Sequence, residues 1–288
     1  MARVSAPAEE GLVGAGLVVE GLVFRYPGAE TPALDGVSLE CGRGLVHWLF
    51  GPLGAGCSTL LLAAAGLAPR HTGGTLDGGL TLFGADPQRD AGRRALLGRV
   101  AVVTPAPALQ LSGVAATVEE EVAFAPANLG WPVERIRAAT AAALARLEVA
   151  HLAGRAPAAL SGGELQRVVI AAMLVLSPDA WLLDEPGAAL DAAGRRRLRA
   201  LLREEAARGA LVVVASEDAD AMLGAADRVV LLDRGRVRAA GAPEALLAGD
   251  EVWREGPGST SIAALARAAG LPAPHPLTVE EGVARWSR

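Results

Sequence analysis

The chain has 288 residues, enough for one large domain or two small ones around a substantial core. About half of it is apolar (51%), yet no uninterrupted apolar run reaches the roughly 18 residues that a membrane-spanning helix needs. The net charge of −5 argues against general nucleic-acid affinity, and all 27 basic residues are arginine, the mark of a GC-rich coding bias.

The N-terminal stretch "MARVSAPAEEGLVGAGLVVEG" places Glu9 and Glu10 ahead of its apolar segment, the wrong order for a signal peptide. The expectation is a soluble cytoplasmic chain whose membrane role, if any, comes through a partner. Cys41 and Cys57 are too far apart for a C-x-x-C pair and suit a reducing compartment. Residues 17–50 alternate apolar and polar in short runs that read as strands and turns. "LVHWLF" (45–50) reads as a buried strand leading into "GPLGAGCST" (51–59), and "STLLLAAAGL" after it reads as a helix, the apolar run 60–68 being buried. Strand, glycine loop and helix form the setting of a phosphate-cradling loop, G-x-x-x-x-G-K-[ST]. Gly51, Gly56 and Ser58 match that pattern, but Cys57 stands where it requires lysine. Coding bias would place arginine there, so it does not explain the cysteine.

Residues 72–84 read as a hairpin, and helical patterns dominate from about 116 to 176. "AWLLDEP" (180–186) and "ALVVVASED" (210–218) read as buried strands with an arginine-rich helix between them, and "RVVLLDRGRVRAAG" as a closing hairpin. A Gly/Ser-rich linker begins at Trp253, before a short helical tail.

Two strings carry chemistry. In "LSGGELQR" (160–167), Ser161, Gly162 and Gly163 open a helix, where bare amides, a hydroxyl and the helix dipole suit an anion. Ser161 with Glu164 equally spells an ordinary capping box, the better reading for that string alone. "WLLDEPGAALD" then ends an apolar strand on Asp184, where a carboxylate can hold a Mg²⁺ that bridges phosphates. Glu185 is placed to polarise an attacking water, and Asp191 closes the string. Two solvated carboxylates before a proline turn would be the plain reading of "DEP" by itself.

Taken together and in order, "GPLGAGCST", "LSGGELQR", "WLLDEP" and "GAALD" resemble the ATP-binding subunit of ABC transporters over roughly residues 17–245. "TVEEEVAFAPANLG" and "GLPAPHPLTVEE" resemble, within that family, the ATPase subunits of energy-coupling factor transporters, which take up vitamins or metals such as cobalt and nickel. The resemblance implies an α/β fold: a P-loop NTPase core with an antiparallel β subdomain, an inserted helical subdomain at about 106–176 and a short helical tail. The ATP-binding domain would span 17–250, with a linker and helical extension at 251–288. It implies ATP held with Mg²⁺ by Gly51, Gly54, Gly56, Cys57, Ser58 and Thr59, with Ser58 and Asp184 toward the metal and Glu185 catalytic. Asp191 falls in the family's D-loop. Tyr26, the only tyrosine, falls where the family places an adenine-stacking aromatic; a buried strand tyrosine is the alternative. Ser161, Gly162, Gly163 and Glu164 would contact the ATP of a second subunit.

Three positions depart from the family pattern. Cys57 replaces the loop lysine, Pro105 (counted back from Gln110 in "VVTPAPALQLSG") replaces a glutamine, and Glu217 replaces the histidine that grips the γ-phosphate. A charge-assisted phosphate bond contributes about 1.5–3 kcal/mol, so losing the lysine weakens triphosphate binding by roughly one to two decades. Glu217 adds repulsion, and Pro105 offers no side-chain donor or acceptor. A thiol at a helix N-terminus could serve as a redox switch, but a small side chain filling space is the preferred reading of Cys57. The resulting expectation is a degenerate site in one half of an asymmetric dimer. Its partners are a catalytic second ATPase subunit, a transmembrane coupling subunit and a substrate-binding membrane subunit, at the cytoplasmic face of the membrane, with no nucleic acid. A fully active homodimer and a non-catalytic regulatory scaffold remain the alternatives. An ABC protein acting on DNA or ribosomes fits least, given the single acidic cassette.

Overall fold

In the computed structural model, residues 14–248 and 259–286 are described. Glu9 and Glu10, and the 253–258 part of the expected linker, lie outside the described residues. A three-stranded antiparallel sheet holds β1 (Ala15–Arg25), β2 (Leu34–Gly42) and β4 (Thr75–Leu82) in the order β2-β1-β4. A second sheet holds β3 (Val46–Phe50), β5 (Val100–Val103), β6 (Ala180–Asp184), β7 (Leu211–Ala215), β8 (Arg228–Asp233) and β9 (Arg236–Gly241). Its order is β5-β6-β7-β3-β8-β9, parallel throughout except for β9, which returns antiparallel along β8 as the expected closing hairpin.

The central strands are buried end to end and almost wholly apolar because both faces of this sheet are covered. Period-two alternation divides their side chains between two cores. Trp48, Phe50, Trp181, Leu183, Val212 and Val214 face one layer, packed with α3 (Val118–Asn128), α4 (Val133–Arg146), α5 (Gly162–Leu174) and α6 (Ala192–Ala207). Leu49, Leu182, Val213 and Val230 face the other, packed with the antiparallel sheet and α1 (Cys57–Ala64). Three further helices in this part of the chain are short: α2 (Asp90–Leu96), α7 (Ala219–Met222) and α8 (Pro243–Ala248). Helices Ser261–Ala268 and Val279–Trp286 follow, as the tail sequence indicates. No helix among the described residues is long and apolar enough to cross a membrane.

Two expectations need correction. Residues 72–84 are not a hairpin: β4 is one continuous strand paired antiparallel with β1 from Arg25↔Thr75 to Leu17↔Leu82. The glycines that suggest a turn instead carry β4 past a bulge in β1, where the register shifts between Glu20 and Val23. At Gly78 (φ 101°) a side chain would stand 2.6 Å from the Gly21 carbonyl oxygen, so the close approach admits only glycine. The apolar run 60–68 is helical only to Ala64, and Gly66 in left-handed backbone (φ 69°) turns the chain out of α1.

A buried ion network ties α4 to α6. The Glu205 carboxylate, 2% exposed, accepts from Arg146 and Arg208 at 3.0 Å each, and Arg146 also reaches Glu204 at 2.8 Å. Removing Glu205 leaves Arg146 its bond to Glu204 and Arg208 half-exposed, so the loss is that of two charge-assisted hydrogen bonds, about 2 kcal/mol. Glu205→Ala should lower unfolding free energy by that order in a urea titration, and Glu204→Ala, on the exposed side, by less than about 1 kcal/mol.

Candidate functional site

The sheet register lines up three strand ends. Leu49 of β3 pairs with Ala215 of β7, and Ala215 pairs in turn with Asp184 of β6. The loops that follow these strands therefore leave from one edge, the carboxyl edge where open α/β sheets bind ligands.

After β3, Gly51 is buried, Leu53 and Gly54 are exposed at the loop, and Gly56 (φ 105°) precedes α1 as its N-cap residue. A side chain at Gly56 would meet the Ala33 carbonyl oxygen at 2.6 Å. No side chain caps α1 and none in its first turn is acidic, so the first amides of the helix, at Cys57, Ser58 and Thr59, have no side-chain cap and carry the positive end of the helix dipole. Thr59 is buried and shares a hydrogen bond of 3.1 Å with the Tyr26 hydroxyl. The Tyr26 ring stands edge-on to Phe24, with centroids 4.8 Å apart, and is half-buried rather than lost in the core.

Burial raises the Asp184 carboxyl, and the Ser58 hydroxyl beside it pulls the other way. Glu185, beside it, takes left-handed backbone (φ 46°), uncommon for any side chain larger than asparagine. That turn directs its carboxylate across to the end of β7. Ser216 Oγ donates to Oε2 at 3.1 Å and the Glu217 amide to Oε1 at 2.7 Å. Burial raises the Glu185 carboxyl, with Asp184 and Glu217 adding to it, while the two donors pull the other way. The Ser216 carbonyl is itself held by the buried Trp48 indole at 2.8 Å.

Cys57 sits among these acids. Burial, then the charges of Asp184, Glu217 and Glu185, push its thiol up to about 12. The helix N-terminus does not prevail, so the redox-switch reading lacks the low-pKa thiol it requires. Pro105 lies exposed on the turn after β5. That turn is stapled by Gln110, which accepts from the Thr104 amide and donates to the Val102 carbonyl, each at 2.8 Å.

Ser161, Gly162, Gly163 and Glu164 form a separate group. Ser161 caps α5, and its amide and hydroxyl both donate to Glu164 at 2.8 Å, so the capping box is real. Asp191 caps α6, accepting from the Gly194 amide at 2.6 Å. Gly163 closes on the intervening turn, where a side chain would lie 3.1 Å from the Ala189 carbonyl oxygen. Among the described residues, no hydrogen bond joins this group to the loop at 51–59. Sequence reasoning missed Ser216, Trp48 and the staple made by Gln110. Ser216 had a signal, since it ends an apolar strand immediately before Glu217.

A model of the ABC transporter family matches residues 34–188. The chain is similar to the nickel import ATP-binding protein NikO of Rhodobacter capsulatus, 41% identical over 233 residues, 80% of this chain and 90% of that protein. It is also similar to the energy-coupling factor transporter ATP-binding protein EcfA1 of Symbiobacterium thermophilum, 36% identical over 278 residues, 92% of this chain and 94% of that one. Among solved structures it resembles CbiO1 of Clostridium perfringens, part of the ABC transporter complex CbiONQ. That match has a TM-score of 0.71 and 31% identity, and covers 84% of this chain and 94% of the other.

The raised thiol sets a chemical expectation. An ordinary cysteine, near 8.5, alkylates at a rate that levels off above about pH 9.5. Cys57 should label slowly with iodoacetamide at neutral pH and gain about tenfold per pH unit past pH 10, wherever the fold persists. Mass spectrometry of Cys57 peptides checks this, and a plateau near pH 9 would contradict it.

Proposed function

The chain belongs to the ABC transporter family, and on that premise we propose that it is the ATP-binding subunit of an importer of the energy-coupling factor, cobalt or nickel type. In this reading residues 17–250 bind nucleotide and 106–176 form the helical subdomain. A catalytic second ATPase subunit completes the dimer at the cytoplasmic face of the membrane. The transmembrane coupling subunit and the substrate-binding membrane subunit carry the substrate.

The observation that carries this reading is the company Cys57 keeps. An amide-lined loop made for phosphate opens among Asp184, Glu185 and Glu217, with no cation in the lysine position. The loop amides, with Gly51, Gly54, Gly56, Ser58 and Thr59, still offer an anion grip, and Tyr26 an apolar face for adenine. Repulsion among the acids opposes a γ-phosphate, which is the physical content of degeneracy here. Ser58 and Asp184 stand together as hard oxygen donors, a set that fits Mg²⁺. With Mg²⁺-ATP bound they would hold the ion, which supplies neutralising charge at the phosphates. Glu185 remains positioned beside them, and its raised carboxyl is the feature that favours the second reading, an active homodimer.

Ser161, Gly162 and Gly163 serve the partner's ATP in this proposal, placing donors against charge that develops on the transferring phosphoryl group. Preorganised donors of that kind are worth roughly 2.7–4 kcal/mol.

Two outcomes follow. Cys57→Lys should tighten ATP binding about tenfold to a hundredfold in calorimetry, yet leave the isolated chain without appreciable phosphate release, because Pro105 and Glu217 remain. In the reconstituted complex, Gly162→Asp should abolish ATPase activity, whereas Glu185→Gln should cost less than about twofold. Glu185→Gln as damaging as the same change in the partner's glutamate would establish the active homodimer or an active site here. A silent Gly162→Asp would point to the scaffold.

A further inference from the structure

Beside the Glu185 turn a partly open cavity of about 200 Å³ lies between residues 185–188, α6 and the segment 214–222. Leu198, Leu202, Val214 and Met222 give it a buried apolar wall. Arg195 and Arg199 line it from the same stripe of α6 as Leu198 and Leu202, at i, i+3, i+4 and i+7 spacing.

The charges in this wall are not matched to one another. Glu185 accepts from Ser216 Oγ and the Glu217 amide, and Asp218 accepts from the Ala221 amide at 2.9 Å as the cap of α7. Arg195 donates to the Leu190 carbonyl at 2.9 Å, and Arg199 to the carbonyls of Asp220 and Ala221 at 3.3 and 3.2 Å. Those acceptors are neutral, and among the described residues neither guanidinium has a carboxylate ion-pair partner. Each guanidinium carries five donors in a fixed fork, so donors and positive charge are left over at the edge of an apolar space. A half-buried guanidinium with no carboxylate in direct contact leaves donors unspent beside apolar surface, and an anion that brings its own apolar body satisfies both.

We propose that this cavity is a binding site for a small monoanion with an apolar body, a short aliphatic or aromatic carboxylate, its head on Arg195 and Arg199 and its body on the leucine, valine and methionine wall. Size and charge set the class. An apolar cavity of roughly 150 Å³ accommodates benzene, so this one takes about six to eight heavy atoms. Glu185 and Asp218 in the same wall repel a multiply charged anion such as a di- or triphosphate, which separates this site from the loop at 51–59. The proposal stands whether or not that loop binds ATP.

Isothermal titration of the full chain with hexanoate, hexan-1-ol and hexylammonium tests it. Hexanoate should bind at one saturable site with Kd on the order of 1 mM, hexanol at least tenfold more weakly, and hexylammonium not at all. Arg199→Gln should weaken hexanoate about tenfold and leave hexanol unchanged. Ala221→Phe, which fills the cavity from its half-buried side, should abolish binding of both. Circular dichroism shows whether Ala221→Phe folds; if it does not, Arg199→Gln alone decides. Absence of saturable hexanoate binding, equal binding of hexanoate and hexanol, or wild-type hexanoate affinity in Arg199→Gln overturns the proposal.

Discussion

Everything at the candidate site depends on the pairing of β3, β7 and β6, with Leu49, Ala215 and Asp184 side by side. Parallel strands in register end together, so the turns after them must share one edge of the sheet. A slip of one residue would invert every side chain between the two cores, and the burial of Trp48, Trp181, Val212 and Val214 on a single face forbids it. The chemistry at the edge thus inherits its geometry from packing some distance away. No individual contact at the edge has to be strong.

That same edge gathers carboxylates more than cations. Asp184, Glu185 and Glu217 all act on Cys57, and burial raises both Asp184 and Glu185. A lysine in place of the cysteine would offset much of this repulsion. Without it, the loop keeps the helix-terminal partial charges of α1, which are weaker than a full ammonium. The neutral thiol is what an acid-rich, enclosed position selects, since a thiolate there would add to the repulsion. A raised thiol is in keeping with the space-filling reading of Cys57, despite its place at a helix N-terminus.

The fold was largely legible because its informative segments are extreme. "LVHWLF", "AWLLD" and "LVVVA" are too apolar and too short to be anything but strands covered on both faces, and Ser161 with Glu164 spells its cap outright. Residues 72–84 misled because glycine pairs signal both turns and bulges, and only the partner strand distinguishes them. Within the site, residue identities were legible and their couplings were not. Glu185 was visible as a carboxylate, but its left-handed backbone and its two donors from the end of β7 depend on a neighbour about thirty residues away in sequence. The Tyr26–Thr59 bond and the staple from Gln110 are long-range or turn-specific in the same way.

The hydrogen bond from the Trp48 indole to the Ser216 carbonyl has an optical consequence. Indole emission shifts with the field and hydration around its ring nitrogen, and Trp48 is sealed from solvent while its nitrogen is tied to the segment that also holds Glu185. A shift of Ser216 by even a fraction of a bond length changes that local field. One of the chain's five tryptophans is therefore wired to the turn beside the acids, with the rest of its ring buried.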